Sequence, residues 1–336
     1  MNAIGERFSH IYYETGLENH PGAKAVFDRF PNAVKIPVRR YTDVFNRTGQ
    51  DYAVQMKAQS IILAEKHGSL IYPGAKVCHD FGSDRFFYTA SAINCIYDCA
   101  YCWLKGMYGS ANLVIFLNLE DYFQAAEELL KEGPMYLSLS FESDLPAIEA
   151  ITNHIAAWNR FTLDHAGLTA EVRTKCANTS LFDSLVPDDR FIFAYTLSPQ
   201  PVIESMEHGT ASLTERLRAI RAAMAKGFPV RICFDPMILI PEWKAAYEAM
   251  METIAGAVPL EAVRDFSIGT YRQSDAYQRR MRRRFPESAV VQYPYETVNG
   301  YAQYPAAVKQ EMEQFLRQLL AEHTVEEKIF LLEDKS

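Results

Sequence analysis

"NCIYDCAYCWL", residues 94–104, places Cys95, Cys99 and Cys102 within eight residues of a 336-residue chain that has six cysteines in all. Three residues separate the first pair and two the second, and an aromatic residue, Tyr101, directly precedes the last thiol. The aromatic run before it, "RFFYTA" (85–90), reads as a strand leading into the thiol loop. Downstream, apolar runs alternate with amphipathic stretches. "MYLSLSFES" (135–143), "TAEVRTK" (169–175), "FIFAYTLS" (191–198), "PVRICFDPMI" (229–238) and "DFSIGTY" (265–271) read as strands. Between them, "LEDYFQAAEELLKEG" (119–133), "LPAIEAITNHIAAW" (145–158), "SLTERLRAIRAAMAKG" (212–227) and "EWKAAYEAMMETI" (242–254) read as helices. Ser212 and Glu215 have the spacing of a capping box.

Strands alternating with helices of this length form βαβ units on a parallel sheet. Six such repeats are too few to close an eight-fold barrel, so the expected fold is α/β, a partial (β/α)6 barrel over residues 85–275. Ligands of parallel α/β folds sit beyond the carboxyl ends of the strands, which is where the thiol loop lies.

Residues 1–84 read as an α/β lead-in packed on the barrel, with one helix at "YAVQMKAQSIILAEKHG" (52–68). The run Leu113–Leu117 suits a buried strand. Residues 276–336 read as a basic helix, "YQRRMRRRFP", then a β-hairpin turning at Asn299-Gly300, then a last helix, "AAVKQEMEQFLRQLLAEH". No linker, repeat or low-complexity stretch marks off a separate domain.

Composition is that of a globular chain, 49% hydrophobic and 23% charged, with a net charge of −8. An acidic chain does not suit non-specific nucleic-acid binding, which needs cations to displace counterions, although a local basic patch remains compatible. No apolar run reaches the roughly 18 residues of a membrane span. The start "MNAIGERFSH" lacks the pattern of an export signal, so a cytoplasmic location is expected, with no membrane partner. There, clustered cysteines are metal ligands or catalysts rather than disulfides.

Two metal readings follow. Zinc wants four tetrahedral ligands and favours paired C-x-x-C knuckles; here there is one such pair, with Cys78 or His79 as the nearest candidate for a fourth ligand. A [4Fe-4S] cluster takes one thiolate per iron, so three cysteines on one loop leave the fourth iron open to a chelating cofactor.

The C-x-x-x-C-x-aromatic-C spacing after the first strand resembles the radical S-adenosylmethionine superfamily. Within it, the chain resembles the spore photoproduct lyase family over nearly its whole length. "CIYDCAYCWL", "FESDLPAIE", "VRTK", "ESMEHGTASLTERLRAI", "GFPVRICFDPMI" and the "EW" beyond it carry the resemblance. It implies a [4Fe-4S] cluster on Cys95, Cys99 and Cys102, and S-adenosyl-L-methionine cleaved reductively to a 5′-deoxyadenosyl radical. That radical would take hydrogen from a methylene-bridged thymine pair in damaged DNA, with an electron donor such as flavodoxin or ferredoxin as a further partner. Tyr101 would lie against cluster and cofactor. Ser143 matches a cofactor-contacting serine, and Lys175 a lysine that holds the cofactor carboxylate. Thr196 stands where the family has a serine. Trp103 takes the place of a tyrosine on the radical path, keeping a donor but losing the phenol.

Two departures stand out. The family's hydrogen-donating cysteine is Phe141 here, and Cys176 and Cys233 read as small core residues, so quenching of the product radical is expected to fail. The hairpin keeps Tyr293, Tyr295, Tyr301 and Tyr304 to stack on bases but has no Lys or Arg, leaving Arg279, Arg280, Arg282, Arg283 and Arg284 to hold phosphates or to form a solvated helix face. Repair of a thymine photoproduct is the leading expectation. A different substrate on the same scaffold comes next, and a non-catalytic Fe–S protein that binds DNA or a partner is third.

Overall fold

A computed structural model describes residues 7–75 and 77–332 of the chain. Residues 1–6, part of the stretch read for an export signal, lie outside the described residues.

All six expected barrel strands form. They are Phe86–Thr89, Met135–Ser138, Leu168–Thr174, Phe191–Thr196, Val230–Met237 and Asp265–Thr270, each parallel to the next in this order. Ile329–Leu331 extends the sheet in parallel beside the sixth strand, and Ile71–Pro73 pairs antiparallel with the first. The eight-stranded sheet is therefore open, and its six inner strands are the partial barrel that the alternation predicted. The strands are apolar along most of their length because helices cover the outer face. Trp158, Phe191 and Phe193 are among the fully buried rings, and burying each is worth about 1.5–3 kcal/mol.

The capping box forms: Ser212 Oγ accepts from Glu215 N at 3.3 Å, and Ser212 N donates to Glu215 Oε2 at 2.8 Å, opening the helix Leu213–Ala225. Asn299 and Gly300 both take positive φ, 50° and 83°, and join Glu296–Val298 to Tyr301–Gln303 as the expected hairpin. The last helix, Ala306–Ala321, packs against the sixth strand and the helix Trp243–Ala255.

Two expectations are corrected. The helix read at 52–68 stops at Lys57, and Ile61–Ala64 is a strand, buried at all four positions. A short apolar run bearing two isoleucines suits a strand flanked on both sides, and here His10–Glu14 and Leu113–Phe116 flank it in a second, five-stranded sheet. That sheet draws its strands from 10–64 and from 92–116, so it bridges the lead-in and the thiol-loop region. The stretch 145–158, read as one helix, is two, Leu145–Thr152 and His154–Asp164, broken where Asn153 takes φ 53°. Glu149 reaches across the break and accepts from Ile155 N and Ala156 N at 2.9 Å each, capping the second helix from the first. No helix among the described residues is long and apolar enough to cross a membrane.

Candidate active site

Beyond the carboxyl ends of the barrel strands lies a cavity of about 560 Å³. Cys95, Cys99, Cys102, Tyr101, Trp103, Ser143, Lys175 and Thr196 all line it. Residues from 95 to 196 converge there because each lies on the thiol loop or at the end of a barrel strand.

The thiol loop is held from two sides. Asp98-Cys99 forms a short antiparallel bridge with Glu207-His208, and Ala100 N donates to Met206 O at 2.7 Å. The buried Glu207 carboxylate then accepts from the Tyr101 hydroxyl, from the Arg216 guanidinium and, at 2.9 Å, from Ser198 Oγ. Burial alone would raise the pKa of Glu207, but Lys175 and Arg216 hold it below the ordinary carboxylate range. On the other side, the helix Asp275–Arg284 crosses the short helix Leu104–Met107 at Gly106. A Cβ on Gly106 would fall 2.6 Å from Tyr277 Cβ and 2.7 Å from its carbonyl oxygen, so only glycine allows this approach.

Lys175 is aimed by its backbone. Asp144 caps the helix Leu145–Thr152, and its carboxylate accepts from Ala147 N (3.2 Å), Thr174 Oγ1 (2.7 Å) and Lys175 N (2.8 Å). Lys175 Nζ then stands 5.6 Å from the Tyr101 ring centre. Burial works against its charge, but Glu207 and Cys99 more than compensate, so the ammonium's pKa is raised. Lys175 and Arg216 face the Glu207 carboxylate, and the buried Asp144 carboxylate lies on the Cys95 side, so charges of both signs surround the three thiols. Burial pushes the Cys99 thiol up to about 12 despite the opposing pull of Lys175. A bound metal would deprotonate such thiols outright.

Among the described residues no three His, Cys, Asp or Glu side chains converge on a point that could hold one metal ion. The thiolates of a cubane each bind a different iron, so three on one loop can serve such a cluster. Ser143 Oγ is buried with no hydrogen-bond partner, an orphan on the same cavity wall. Three thiols on one loop, the Lys175 ammonium and an orphan hydroxyl fit a four-iron cluster and a cofactor bearing a carboxylate.

Elsewhere on the cavity wall, Trp103 lies 5.6 Å from the Phe141 ring and 6.5 Å from that of Tyr277. Phe141 stacks on Tyr88 at 4.0 Å, and all four rings line the cavity. Cys176 and Cys233 are buried away from it, as expected of core residues.

The C-terminal segment departs from its reading. Of the hairpin tyrosines only Tyr301 lines the cavity. Tyr293, Tyr295 and Tyr304 pack on one another at 4.9–5.2 Å, and Tyr295 stacks on Tyr271 at 4.7 Å, which uses faces that a base would need. Arg284 Nη1 donates to Tyr108 O at 2.6 Å and to Lys105 O, Arg280 Nη1 to Met107 O at 3.0 Å, and Arg282 Nη2 to Tyr293 O at 2.7 Å. Arg279 pairs with Asp275 on its own helix. These arginines are neither a purely solvated face nor a free row of phosphate ligands, since three of them tie backbone together.

The sequence reading passed over Glu207, Arg216 and Asp144. The first two lie in "ESMEHGTASLTERLRAI" and the third in "FESDLPAIE", but a charge that will be buried against a partner far along the chain carries no local signature.

A profile of the spore photoproduct lyase family matches residues 10–329. The chain belongs to the spore photoproduct lyase family, a family of radical S-adenosylmethionine lyases. It is 22% identical over 292 residues to spore photoproduct lyase of Bacillus subtilis (strain 168), covering 83% of this chain and 82% of that one. The Geobacillus sp. (strain Y412MC61) enzyme is 20% identical over 293 residues, with the same coverage of both chains. Among solved structures, a cysteine-to-alanine mutant of spore photoproduct lyase with dinucleoside spore photoproduct superposes with a TM-score of 0.82 at 17% identity, over 98% of this chain and 99% of that one. A double mutant with bound AdoMet and dinucleoside spore photoproduct superposes with a TM-score of 0.80 at 17% identity, over 98% and 100%. The shared fold is the partial barrel described above.

Proposed function

We propose that this chain is a radical S-adenosylmethionine lyase that opens a methylene-bridged thymine dimer in damaged DNA. One observation carries the reading. Eight residues singled out from their place in the motifs line a single cavity, beside a buried hydroxyl that lacks a partner.

In this reading Cys95, Cys99 and Cys102 hold a [4Fe-4S] cluster, which when bound supplies the electron that cleaves S-adenosylmethionine to a 5′-deoxyadenosyl radical. Lys175 binds the cofactor carboxylate as a point charge, positioned by Asp144 through its backbone N–H. Ser143 and Thr196 present hydroxyls to the cofactor. Tyr101 is fixed by Glu207 and holds one side of the cofactor site, while Trp103 faces the substrate between Phe141 and Tyr277. An external one-electron donor of the flavodoxin or ferredoxin class completes the system.

The test is anaerobic reconstitution followed by assay on a synthetic methylene-bridged dithymidine. Conversion of the lesion to intact thymidines with cofactor cleavage supports the reading. Cofactor cleavage without any change in the lesion overturns it in favour of a second reading, a different substrate on the same scaffold. Phe141 and the cation-free hairpin are the observations that favour the second reading.

A further inference from the structure

The cavity also reaches down between the strands, to an ionic layer that the site described above does not use. Glu171, Arg173 and Lys175 alternate along the third barrel strand and its end, and all three line the cavity. Arg173 therefore lies one inward-facing step, about 6.6 Å along the strand, from the lysine assigned to the cofactor. Asp235 of the fifth strand and Arg272, which follows the sixth, line the same wall.

Three guanidinium groups meet in this layer, and two are committed. Arg231 donates to both carboxylate oxygens of Asp265, and to Tyr136 Oη and Glu171 Oε2 at 2.6 Å each. Arg272 donates to the two oxygens of Asp235 at 2.7 and 3.0 Å, to Thr270 O at 3.0 Å and to Val77 O at 2.8 Å. Gly269 admits that pair, since a Cβ there would fall 2.9 Å from Arg272 Nη1 and 3.1 Å from Asp235 Oδ1. Arg173 differs. Glu171 Oε1 lies 3.3 Å from its Nε and Asp235 Oδ2 lies 3.6 Å from its Nη1, which are ion-pair distances. Yet its guanidinium donates no hydrogen bond among the described residues, and its Nε is buried without a partner. Its side chain is 29% exposed on the cavity wall, so its N–H donors are offered to whatever fills the cavity.

The charge of the layer decides what kind of acceptor fits. Burial works against both carboxylates, but Arg173 and Arg231 hold Glu171, and Arg272 holds Asp235, below the ordinary range, so both are ionised. An anion at Arg173 would lie against two negative charges, whereas a neutral carbonyl would not. A carbonyl next to an N–H fits better still, because Asp235 is an acceptor beside Arg173 on the same wall.

We propose that Arg173 is a substrate-recognition residue that donates to a carbonyl oxygen of one thymine ring, with Asp235 accepting from the adjacent imide N–H. The proposal rests on the repair reading above and adds the pair that selects an imide edge over an anion or an apolar ring. Arg272 positions Asp235.

The test is binding of the synthetic dinucleoside lesion to the reconstituted, unreduced protein, by isothermal titration calorimetry. Arg173→Ala should weaken lesion binding by about tenfold or more, the loss expected of a charge-assisted hydrogen bond. Its affinity for S-adenosylmethionine, set at Lys175, should hold, which also shows that the variant is folded. In wild type, which needs no variant to fold, N3-methylation of one of the two rings should likewise weaken binding. The two losses should not add, because the methyl group and the alanine remove the same contact. Unchanged lesion affinity in Arg173→Ala overturns the proposal and leaves the repair reading standing. Wild-type binding indifferent to N3-methylation of either ring does the same, as do additive losses, which would make Arg173 a remote structural residue. Competition by inorganic phosphate that Arg173→Ala abolishes makes the layer an anion site and overturns it too. A wild-type protein that cleaves cofactor but neither binds nor changes the lesion overturns the repair reading, and this proposal with it.

Discussion

The thiol loop and the C-terminal segment 275–305 are both rich in residues that suggest chemistry, yet the first keeps its cysteines and rings on the cavity while the second keeps there only Tyr277 and Tyr301. Along 95–103 the three cysteines, Tyr101 and Trp103 all line it. Along 275–305, Arg280 and Arg284 turn to backbone carbonyls of residues 105–108, and three of the four hairpin tyrosines pack into a ring cluster. The second region clamps the first. What separates them is the range over which the signal is written. A metal-binding loop is local, so its spacing survives in the sequence, whereas an arginine reads the same whether it meets a phosphate or a carbonyl on another element.

The largest effect that can break this comparison lies in the loop. Cys95→Ala, Cys99→Ala and Cys102→Ala should each abolish the broad charge-transfer absorption of anaerobically reconstituted protein, which should otherwise carry about four irons per chain. Tight stoichiometric zinc at these thiols, with no cluster formed, would remove the reason for treating the loop as a catalytic wall.

Next in size is Lys175. Replacement by alanine should weaken S-adenosylmethionine binding by about 1.5–3 kcal/mol, the range for a charge-assisted hydrogen bond, measured by equilibrium dialysis with the cluster intact. Unchanged affinity would mean that Lys175 makes no contact with the cofactor carboxylate.

How much was legible follows the same line. The six barrel strands could be read because apolar runs alternate with amphipathic helices at a regular interval. The thiols could be read from their spacing, whereas Ser143, Lys175 and Thr196 are singled out by the family resemblance, and all of them line the cavity. Ile61–Ala64 could not, since four apolar residues next to a helical stretch fit either period until the flanking strands are known. Nor could the Glu207 anchor or the place of Cys78 on the cavity wall, because each depends on contacts made more than 100 residues away, Tyr101 to Glu207 in one case and Val77 to Arg272 in the other.

A third prediction concerns the joint between the barrel and the C-terminal segment. Burial alone would raise the pKa of Asp235, but its pair with Arg272 depresses it to about 2 from an ordinary 3.8. A depressed folded-state pKa contributes stability that is present above the unfolded value and is lost as pH falls through the folded one. Between about pH 4 and pH 2 this pair should therefore forfeit about 2 kcal/mol. Asp235→Asn should show a shallower acid loss across that window in urea titrations. The arginine-to-carbonyl bonds of 280, 282 and 284 contain no carboxylate, so an identical acid profile in Asp235→Asn would place the acid-sensitive joint elsewhere.

The smallest effect tests the clamp against a DNA grip. If the arginines of Asp275–Arg284 chiefly hold backbone, lesion-free DNA should bind weakly at physiological salt, and its affinity should fall only gently as salt rises, because few cations displace counterions. Arg284→Ala should then lower the thermal midpoint, since it leaves the carbonyls of Lys105 and Tyr108 without these donors, at about 1–3 kcal/mol for each buried acceptor stranded. It should leave the salt slope unchanged. Arg283→Ala, at an exposed position, should change neither stability nor slope appreciably. A clamp and a phosphate grip thus predict opposite pairings of the two readouts. Should Arg283→Ala or Arg279→Ala instead reduce the salt slope by about one while stability holds, that outer face is a phosphate contact and the two regions share the substrate.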